Sequence, residues 1–306
     1  VAIAFFSWIV LRFLIVRPFF LHDKNNPDKQ QHQIHNEPIV TTPKLITKVK
    51  KGNENHGDAT VVRTNDANNQ IRLQDVPCGY QTWDDLIDAE AHPKEGERHI
   101  VTPPSDEGSK VSLVCCRSTA GPLAIAVHPN WATRGAERFL FLVANQYFES
   151  WVPLFRCVPG FLCQFGLSGK VGLFGQLIPN REDHNLKDDV QWLPAGPKHR
   201  KHGTTKRFAQ GYMSYAGGGE NTRDKQFFVA LQANGPLGGG SPWEVPWGEL
   251  VGHDSYATLR QIYTGYGEDG PSQGSLSSKG VTAKTKEDFP KMDYITSCTI
   301  LDTRSL

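Results

Sequence analysis

The stretch that decides the fold is VPLFRCVPGFLCQFG, residues 152–166, in which two short apolar runs flank Pro159 and Gly160. A proline beside a glycine interrupts a helix and favours a tight turn, so this stretch predicts two strand pieces joined by a turn. Arg156 stands inside the first apolar run. A buried guanidinium is costly unless its donors have partners. Arg156 therefore either snorkels, pairs with a carboxylate elsewhere in the chain, or serves a functional site.

The sequence around this stretch is predicted to be mainly β. KVSLVCC (110–116) and PLAIAVHP (122–129) are apolar runs separated by five residues that include Gly121, a pattern typical of a hairpin. Apolar residues recur at helical intervals from about 133 to 145, and a short helical pattern runs from about 255 to 263. At least seven short strands with two helices predict a closed antiparallel β-barrel capped by two helices, because closure hides strand edges.

The composition argues against several classes of partner. The formal net charge is only +1, and the one dense basic run, near residues 198–207, has no aromatic residues that would stack on bases. We therefore expect a solvated loop there and no nucleic-acid partner.

The six cysteines form neither a CxxC pair nor a zinc spacing, so we expect no metal and no cofactor. Cys157 and Cys163 lie in apolar segments and are expected to be free thiols that pack as small hydrophobes. The count is too low for a disulfide-built scaffold, and a reducing compartment is permitted.

The N-terminal region divides into two predicted parts. Residues 1–22 are overwhelmingly apolar, which fits a single-pass membrane anchor, the core of a signal peptide or a buried amphipathic segment. Arg12 would cost about 2.5 to 3.5 kcal/mol at the centre of a bilayer. Residues 23–107 are predicted to be a mostly disordered linker with a short helix near 79–92, and residues 108–306 the folded domain. We expect a monomer at a membrane or in the secretory pathway, with undetermined orientation.

Four segments in order resemble the cyclophilin-type peptidyl-prolyl isomerases. They are LFRCVPGFLCQFG (154–166), GYMSYAGGGENTRDKQFFVAL (211–231), WEVPWGELVG (243–252) and SCTILD (297–302). The first two are similar to the family patterns F-H-R-x-I-P-G-F-M-x-Q-G-G and L-S-M-A-x-x-G-x-N-T-x-x-S-Q-F-F. The resemblance covers about two thirds of the chain and implies a cyclophilin-like barrel that isomerises X-Pro bonds of peptides and proteins, with no cofactor.

The resemblance also implies a set of site residues. Arg156, Phe161 and Gln164 would be catalytic, with the guanidinium directed at the substrate proline and Gln164 orienting either Arg156 or the substrate carbonyl. The substrate-binding positions would be Leu162, Ala216, Gly217, Gly218, Gln226, Phe228 and Leu237. Phe161, Leu162 and Phe228 would form an apolar slot for the proline ring, with Leu237 at its rim.

The sequence also departs from the family pattern. Phe155 replaces a histidine, Gly217 an asparagine, and Glu244 a histidine near the wall of the site. These departures leave a second prediction open, that of a catalytically weak, cyclophilin-like module that binds proline-containing peptides.

Overall fold

The computed structural model describes residues 78–90, 110–189, 208–233, 237 and 242–305. The apolar segment 1–22, most of the predicted linker and the basic run near residues 198–207 lie outside these residues. Within the described ranges, no helix is both long and apolar enough to cross a membrane.

Within the described ranges, nine strands form one antiparallel sheet, which confirms a mainly β fold. The strands are β1 Lys110–Ser118, β2 Gly121–Val127, β3 Val152–Pro153, β4 Arg156–Cys157, β5 Leu162–Phe165, β6 Tyr212–Tyr215, β7 Phe227–Ala230, β8 Gly248–Val251 and β9 Tyr294–Ser305. β1 and β2 form the predicted hairpin, closed by the pair Ser118 and Gly121. β4 and β5 are the two predicted strand pieces around the Pro159–Gly160 turn.

The sheet is curved but open, and the prediction of a closed barrel is wrong in this respect. The strand order is β3-β9-β1-β2-β8-β6-β7-β5-β4, so β3 and β4 occupy the two edges of the described sheet. Both edges belong to one continuous stretch of chain. The Leu154 amide donates to the Asp293 carbonyl at 2.8 Å, and the next amide, that of Phe155, donates to the Gln164 carbonyl at 3.1 Å. Leu154 and Phe155 are consecutive, so the extended chain passes directly from one edge of the sheet to the other. The two edge strands therefore do not pair with each other, and the sheet stays open.

Six α-helices accompany the sheet in the described ranges, where the sequence indicated three. They are α1 Trp83–Glu90, α2 Thr133–Ala144, α3 Leu173–Leu177, α4 His253–Gln261, α5 Gln273–Lys279 and α6 Ala283–Asp288. α1, α2 and α4 confirm the predicted helices near 79–92, 133–145 and 255–263. The other three are only five to seven residues long, too short for a clear hydrophobic period.

The inner face of the sheet carries an aromatic core covered by α2. Phe139 of α2 is fully buried and stacks on Trp247 with ring centroids 4.2 Å apart. Phe227 meets Phe139 edge-on at 5.6 Å. This core fixes β7, so the residues that alternate with its core-facing side chains point to the opposite face of the sheet.

The six cysteines are paired, and the prediction of free thiols is wrong. The disulfides join Cys78 to Cys115, Cys116 to Cys298, and Cys157 to Cys163. Two of the pairs are direct cross-strand neighbours, one between β1 and β9 and one between β4 and β5. Sequence spacing does not reveal strand register, which is why these pairs could not be predicted.

Residues 262–293, here called the α4–β9 segment, contain α5 and α6 and pack against Phe155, the residue directly before β4. Phe155 is 3% exposed and forms an apolar cluster with Leu276 of α5, Met292 and Tyr294. Gly270 approaches the same strand so closely that a Cβ there would lie 2.2 Å from the Phe155 carbonyl oxygen. The segment is therefore attached to the edge strand that carries Arg156.

Candidate active site

A row of side chains crosses β4, β5 and β7 on the face opposite the aromatic core. Arg156 pairs in register with Gln164, and Gln164 pairs with Phe228. The neighbours of these residues along the strands, such as Cys163 and Phe227, belong to the core cluster inside the sheet. The period of two along each strand thus places Arg156, Gln164 and Phe228 on one face. Three residues that the resemblance grouped are brought together.

Hydrogen bonds fix the orientation of Gln164 within this row. Its Oε1 accepts from Arg156 Nη1 at 3.3 Å, and its Nε2 donates to Gln226 Oε1 at 3.1 Å. The side-chain amide therefore bridges the arginine and a second glutamine. This arrangement places Gln226 beside Gln164.

An apolar cluster lies beside the row and contains the slot residues. Its buried members are Leu162, Phe208, Phe228, Ala230 and Leu237, and Phe161, Tyr212 and Ala216 pack against them. Leu162 and Phe228 are 6% and 3% exposed, whereas Phe161 is half-buried and accessible. The structure thus brings Phe161, Leu162, Phe228 and Leu237 together in one cluster.

Phe208 is a member of the slot that the sequence did not indicate. It is 1% exposed, and its ring stacks on that of Phe228 with centroids 5.7 Å apart. It stands alone between a basic run and a glycine turn, outside the segments that resemble the family. An isolated aromatic in such a setting carries no periodic signal.

Gly217 and Gly218 lie in a turn that leaves less peptide-binding backbone than the resemblance implies. The Gly218 amide already donates to Thr222 Oγ1 at 2.9 Å. A Cβ at Gly217 would lie 2.9 Å from the Cβ of Trp243, a distance that real Cβ atoms essentially never show. The packing of Trp243 therefore explains why a glycine replaces the asparagine of the family pattern.

Arg156 is held by a carboxylate that sequence reasoning did not identify. Its Nε donates to Glu268 Oε2 at 2.6 Å and its Nη2 donates to Glu268 Oε1 at 2.6 Å. The Glu268 side chain is 62% exposed and that of Arg156 is 27% exposed. The hydrogen bond from Arg156 lowers the pKa of Glu268, so the carboxylate stays ionised at neutral pH. Glu268 lies in the α4–β9 segment, between the segments that resemble the family, and no local pattern connects it to Arg156.

The Arg156 guanidinium keeps free donors in spite of this pairing. A guanidinium carries five N–H groups. Three are engaged, two by Glu268 and one by Gln164. One N–H on each terminal nitrogen therefore remains for a ligand.

The described residues offer no metal site at this row. They contain no group of three or more His, Cys, Asp or Glu side chains that could hold a metal ion. A cavity of about 270 Å³ lies elsewhere, lined by residues that include Tyr147, Phe174, Lys225 and Leu276. Arg156 and the slot residues do not line it. The row belongs to the outer surface of the sheet.

The fold and the site define a curved antiparallel sheet that carries an arginine and a glutamine beside an apolar cluster. The sequence profile of the cyclophilin type peptidyl-prolyl cis-trans isomerase/CLD family matches residues 114–298. Because this match spans more than half of the 306 residues, the chain belongs to that family.

Solved cyclophilins are similar to the chain. A cyclophilin type isomerase of Cryptosporidium parvum is 18% identical, with 62% of this chain and 97% of that chain covered and a TM-score of 0.38. The same parasite protein, crystallised in the presence of the dipeptide Ala-Pro, is 17% identical over 61% of this chain and 98% of that chain, with a TM-score of 0.38. The cyclophilin AquaCyp293 of Hirschia baltica is 14% identical over 63% and 76% of the two chains, with a TM-score of 0.39. No curated protein matches the chain.

Proposed function

We propose that this chain catalyses the cis–trans isomerisation of X-Pro bonds in peptides and proteins, with Arg156 as the group that stabilises the twisted bond. Membership of the cyclophilin family supports the reaction class. The single observation that carries the proposal is the row in which Gln164 stands between Arg156 and Phe228. This row sets a fixed cation beside an apolar surface suited to a proline ring.

The guanidinium acts on the state in which the bond is twisted. The barrier to rotation, about 18 to 20 kcal/mol, comes from the resonance of the planar amide. When the bond twists, the prolyl nitrogen becomes pyramidal and regains a lone pair. An N–H of Arg156 donates to this lone pair, which is absent in both planar forms. The twisted state is therefore bound better than either ground state, as catalysis requires.

The apolar cluster positions the substrate. A pyrrolidine ring packs against the accessible face of Phe161, above a floor formed by Leu162 and Phe228, with Leu237 at the rim. Gln226 and the turn at Ala216 lie on the far side of Gln164 from the arginine. Burying the ring holds the imide nitrogen in place without an acid, a base or a nucleophile.

A second candidate function is that of a weak proline-peptide binding module. It is favoured by the turn at 217–218, where the Gly218 amide is already bonded to Thr222 and Trp243 packs against Gly217. These contacts leave fewer backbone groups to bind an extended peptide. In this case the slot holds a proline, and isomerisation is slow or absent.

An exchange measurement by NMR on the full chain decides between the two functions. A short peptide with one X-Pro bond gives separate cis and trans signals, and a catalytic amount of protein should bring them into exchange. Arg156→Ala, purified in parallel, is the control for contaminating isomerases. Acceleration by the wild type that is greatly reduced in the variant supports catalysis. Peptide binding without acceleration supports the binding module instead.

The partners follow from the slot, and the location from the cysteines. We expect proline-containing segments of peptides and proteins, bound by a monomer. Three disulfides favour an oxidising compartment, which supports a location on the secretory route. The apolar segment 1–22 lies outside the described residues, and its role as an anchor or signal stays a prediction.

A further inference from the structure

The guanidinium of Arg156 is held along two different edges. Gln164 accepts from Nη1, and Glu268 accepts from Nε and Nη2, the edge on the other side of the planar group. The contact to Gln164 is long, at 3.3 Å, whereas both contacts to Glu268 measure 2.6 Å. A carboxylate that accepts two hydrogen bonds fixes the plane of a guanidinium, whereas a single long hydrogen bond to an amide does not fix it. Glu268 is thus the stronger of the two constraints on Arg156.

The backbone around Glu268 is arranged as a folded turn. The Gly267 amide donates to the Thr264 carbonyl at 3.1 Å, and the Asp269 amide donates to the Tyr266 carbonyl at 2.8 Å. These bonds tighten the chain on both sides of the carboxylate. Glu268 is therefore presented by a shaped turn, although its side chain is exposed.

Both ends of this turn are attached to the folded domain. Tyr266 packs edge-on against Phe289 with ring centroids 5.2 Å apart, and its hydroxyl accepts from the Lys291 amide at 3.1 Å. Upstream, the Tyr263 amide donates to Asp293 Oδ2 at 2.8 Å. Downstream, Gly270 lies against the Phe155 carbonyl. The chain before and after Glu268 is thus fixed against the strand that carries Arg156.

Glu268 meets Arg156 on the side away from the slot. Within the row, Gln164 separates Arg156 from Phe228, and β4 is the edge strand. The α4–β9 segment reaches Arg156 through Phe155, its neighbour on that edge. Because one N–H on each terminal nitrogen stays free, the carboxylate does not use up the donors that a twisted imide needs.

From these contacts we propose that Glu268 is a positioning residue for the isomerase reaction, which holds the Arg156 guanidinium in the plane in which it meets the prolyl nitrogen. The proposal rests on the proposed function. Glu268 touches no substrate and transfers no proton, and it acts only through Arg156. An arginine on an edge strand has several rotamers, and a fixed geometry is what makes its hydrogen bond effective in the transition state.

The test compares three variants of the full chain in the exchange assay. Glu268→Gln removes the charge and one of the two strong acceptors, and should lower kcat about five- to tenfold with KM nearly unchanged. Glu268→Asp keeps the charge on a shorter side chain and should recover part of the loss. Asp269→Asn is the matched control, because it makes the same charge change at the next residue, which makes no hydrogen bond to Arg156. It should leave kcat and KM at the wild-type values.

A spectroscopic signature accompanies the kinetics. The Arg156 Nε–H signal should be resolved and protected from exchange with water in the wild type and in Asp269→Asn, and should lose this protection in Glu268→Gln. A merely structural role of the turn would not give this pattern with an unchanged KM.

The outcomes separate the two proposals. If the wild type accelerates exchange and Glu268→Gln leaves kcat unchanged, Glu268 does not position Arg156, and the isomerase assignment stands. If Glu268→Gln raises kcat/KM, the carboxylate competes with substrate, and the positioning role is again refuted. If the wild type shows no acceleration, both proposals fail together.

Discussion

Replacing Arg156 by alanine is the most informative perturbation of this molecule. The substitution removes three hydrogen bonds, two to Glu268 and one to Gln164. Glu268 is mostly exposed, so it returns to water without leaving a buried charge. Gln164 keeps its bond to Gln226 and loses one long contact. We therefore expect a loss of only about 1 to 2 kcal/mol in the free energy of unfolding.

The expected loss in rate is much larger than the loss in stability. A hydrogen bond from a charged donor contributes about 1.5 to 3 kcal/mol, which corresponds to roughly a ten- to hundredfold change in rate constant. Arg156→Lys should recover little, because a single ammonium cannot hold both Glu268 and Gln164 and also face the slot. The two variants thus share a small effect on stability and a large effect on kcat.

Two measurements on the same samples test this reasoning. Exchange spectroscopy with an X-Pro peptide gives the isomerisation rate, and urea unfolding gives stability. A rate within twofold of the wild type would show that the guanidinium does not act on the bond. A loss of more than about 4 kcal/mol in stability would show that Arg156 is a structural residue.

Three further predictions concern the surroundings of the site. Phe155→Ala should lower the free energy of unfolding by about 3 to 5 kcal/mol, because it empties the cluster under the α4–β9 segment; urea unfolding measures the loss, and a loss under 1 kcal/mol would contradict the cluster. Gly217→Ala should lower the melting temperature because its Cβ meets Trp243 closely, whereas Gly218→Ala, with no atom within 4 Å of its Cβ, should not; equal melting temperatures would refute the packing argument. Burial raises the pKa of Tyr215. The stability that the neutral Tyr215 contributes is therefore full below the ordinary tyrosine pKa near 10 and is lost as pH rises toward the raised value. Absorbance at alkaline pH should show ionisation of Tyr215 only with unfolding, and ionisation in the folded state would contradict this.

The β character of the chain was predictable because it depends on local signals. The break at Pro159 and Gly160 marks β4 and β5, and the apolar runs on either side of Gly121 mark the first hairpin. These strand signals are read from residues close together in the sequence, whereas the slot residues, which lie far apart along the chain, were grouped only by the resemblance to the family.

Several of the features that sequence reasoning missed depend on distant pairings. Cys116 and Cys298 are 182 residues apart, and only the register of β1 against β9 makes them neighbours. Glu268 and Arg156 are 112 residues apart. The closed barrel was predicted from the number of strands, but the edge strands belong to one stretch of chain. No window of sequence contains this information.

Two of the departures from the family pattern are accounted for by contacts within this chain. Phe155 replaces a histidine and is the residue on which the α4–β9 segment packs. Gly217 replaces an asparagine at the point where Trp243 leaves no room for a Cβ.

Restoring either family residue would be harmful. A histidine at 155 would place a polar ring in an apolar cluster, and burying an unpaired polar group costs about 1 to 3 kcal/mol. A side chain at 217 would displace the indole. Phe155 also attaches the segment that carries Glu268 beside β4. The residue that replaces the family histidine therefore also brings the Glu268 carboxylate to Arg156. Arg156, Gln164 and the apolar cluster therefore remain adjacent in this chain, although Phe155 and Gly217 change the contacts around them.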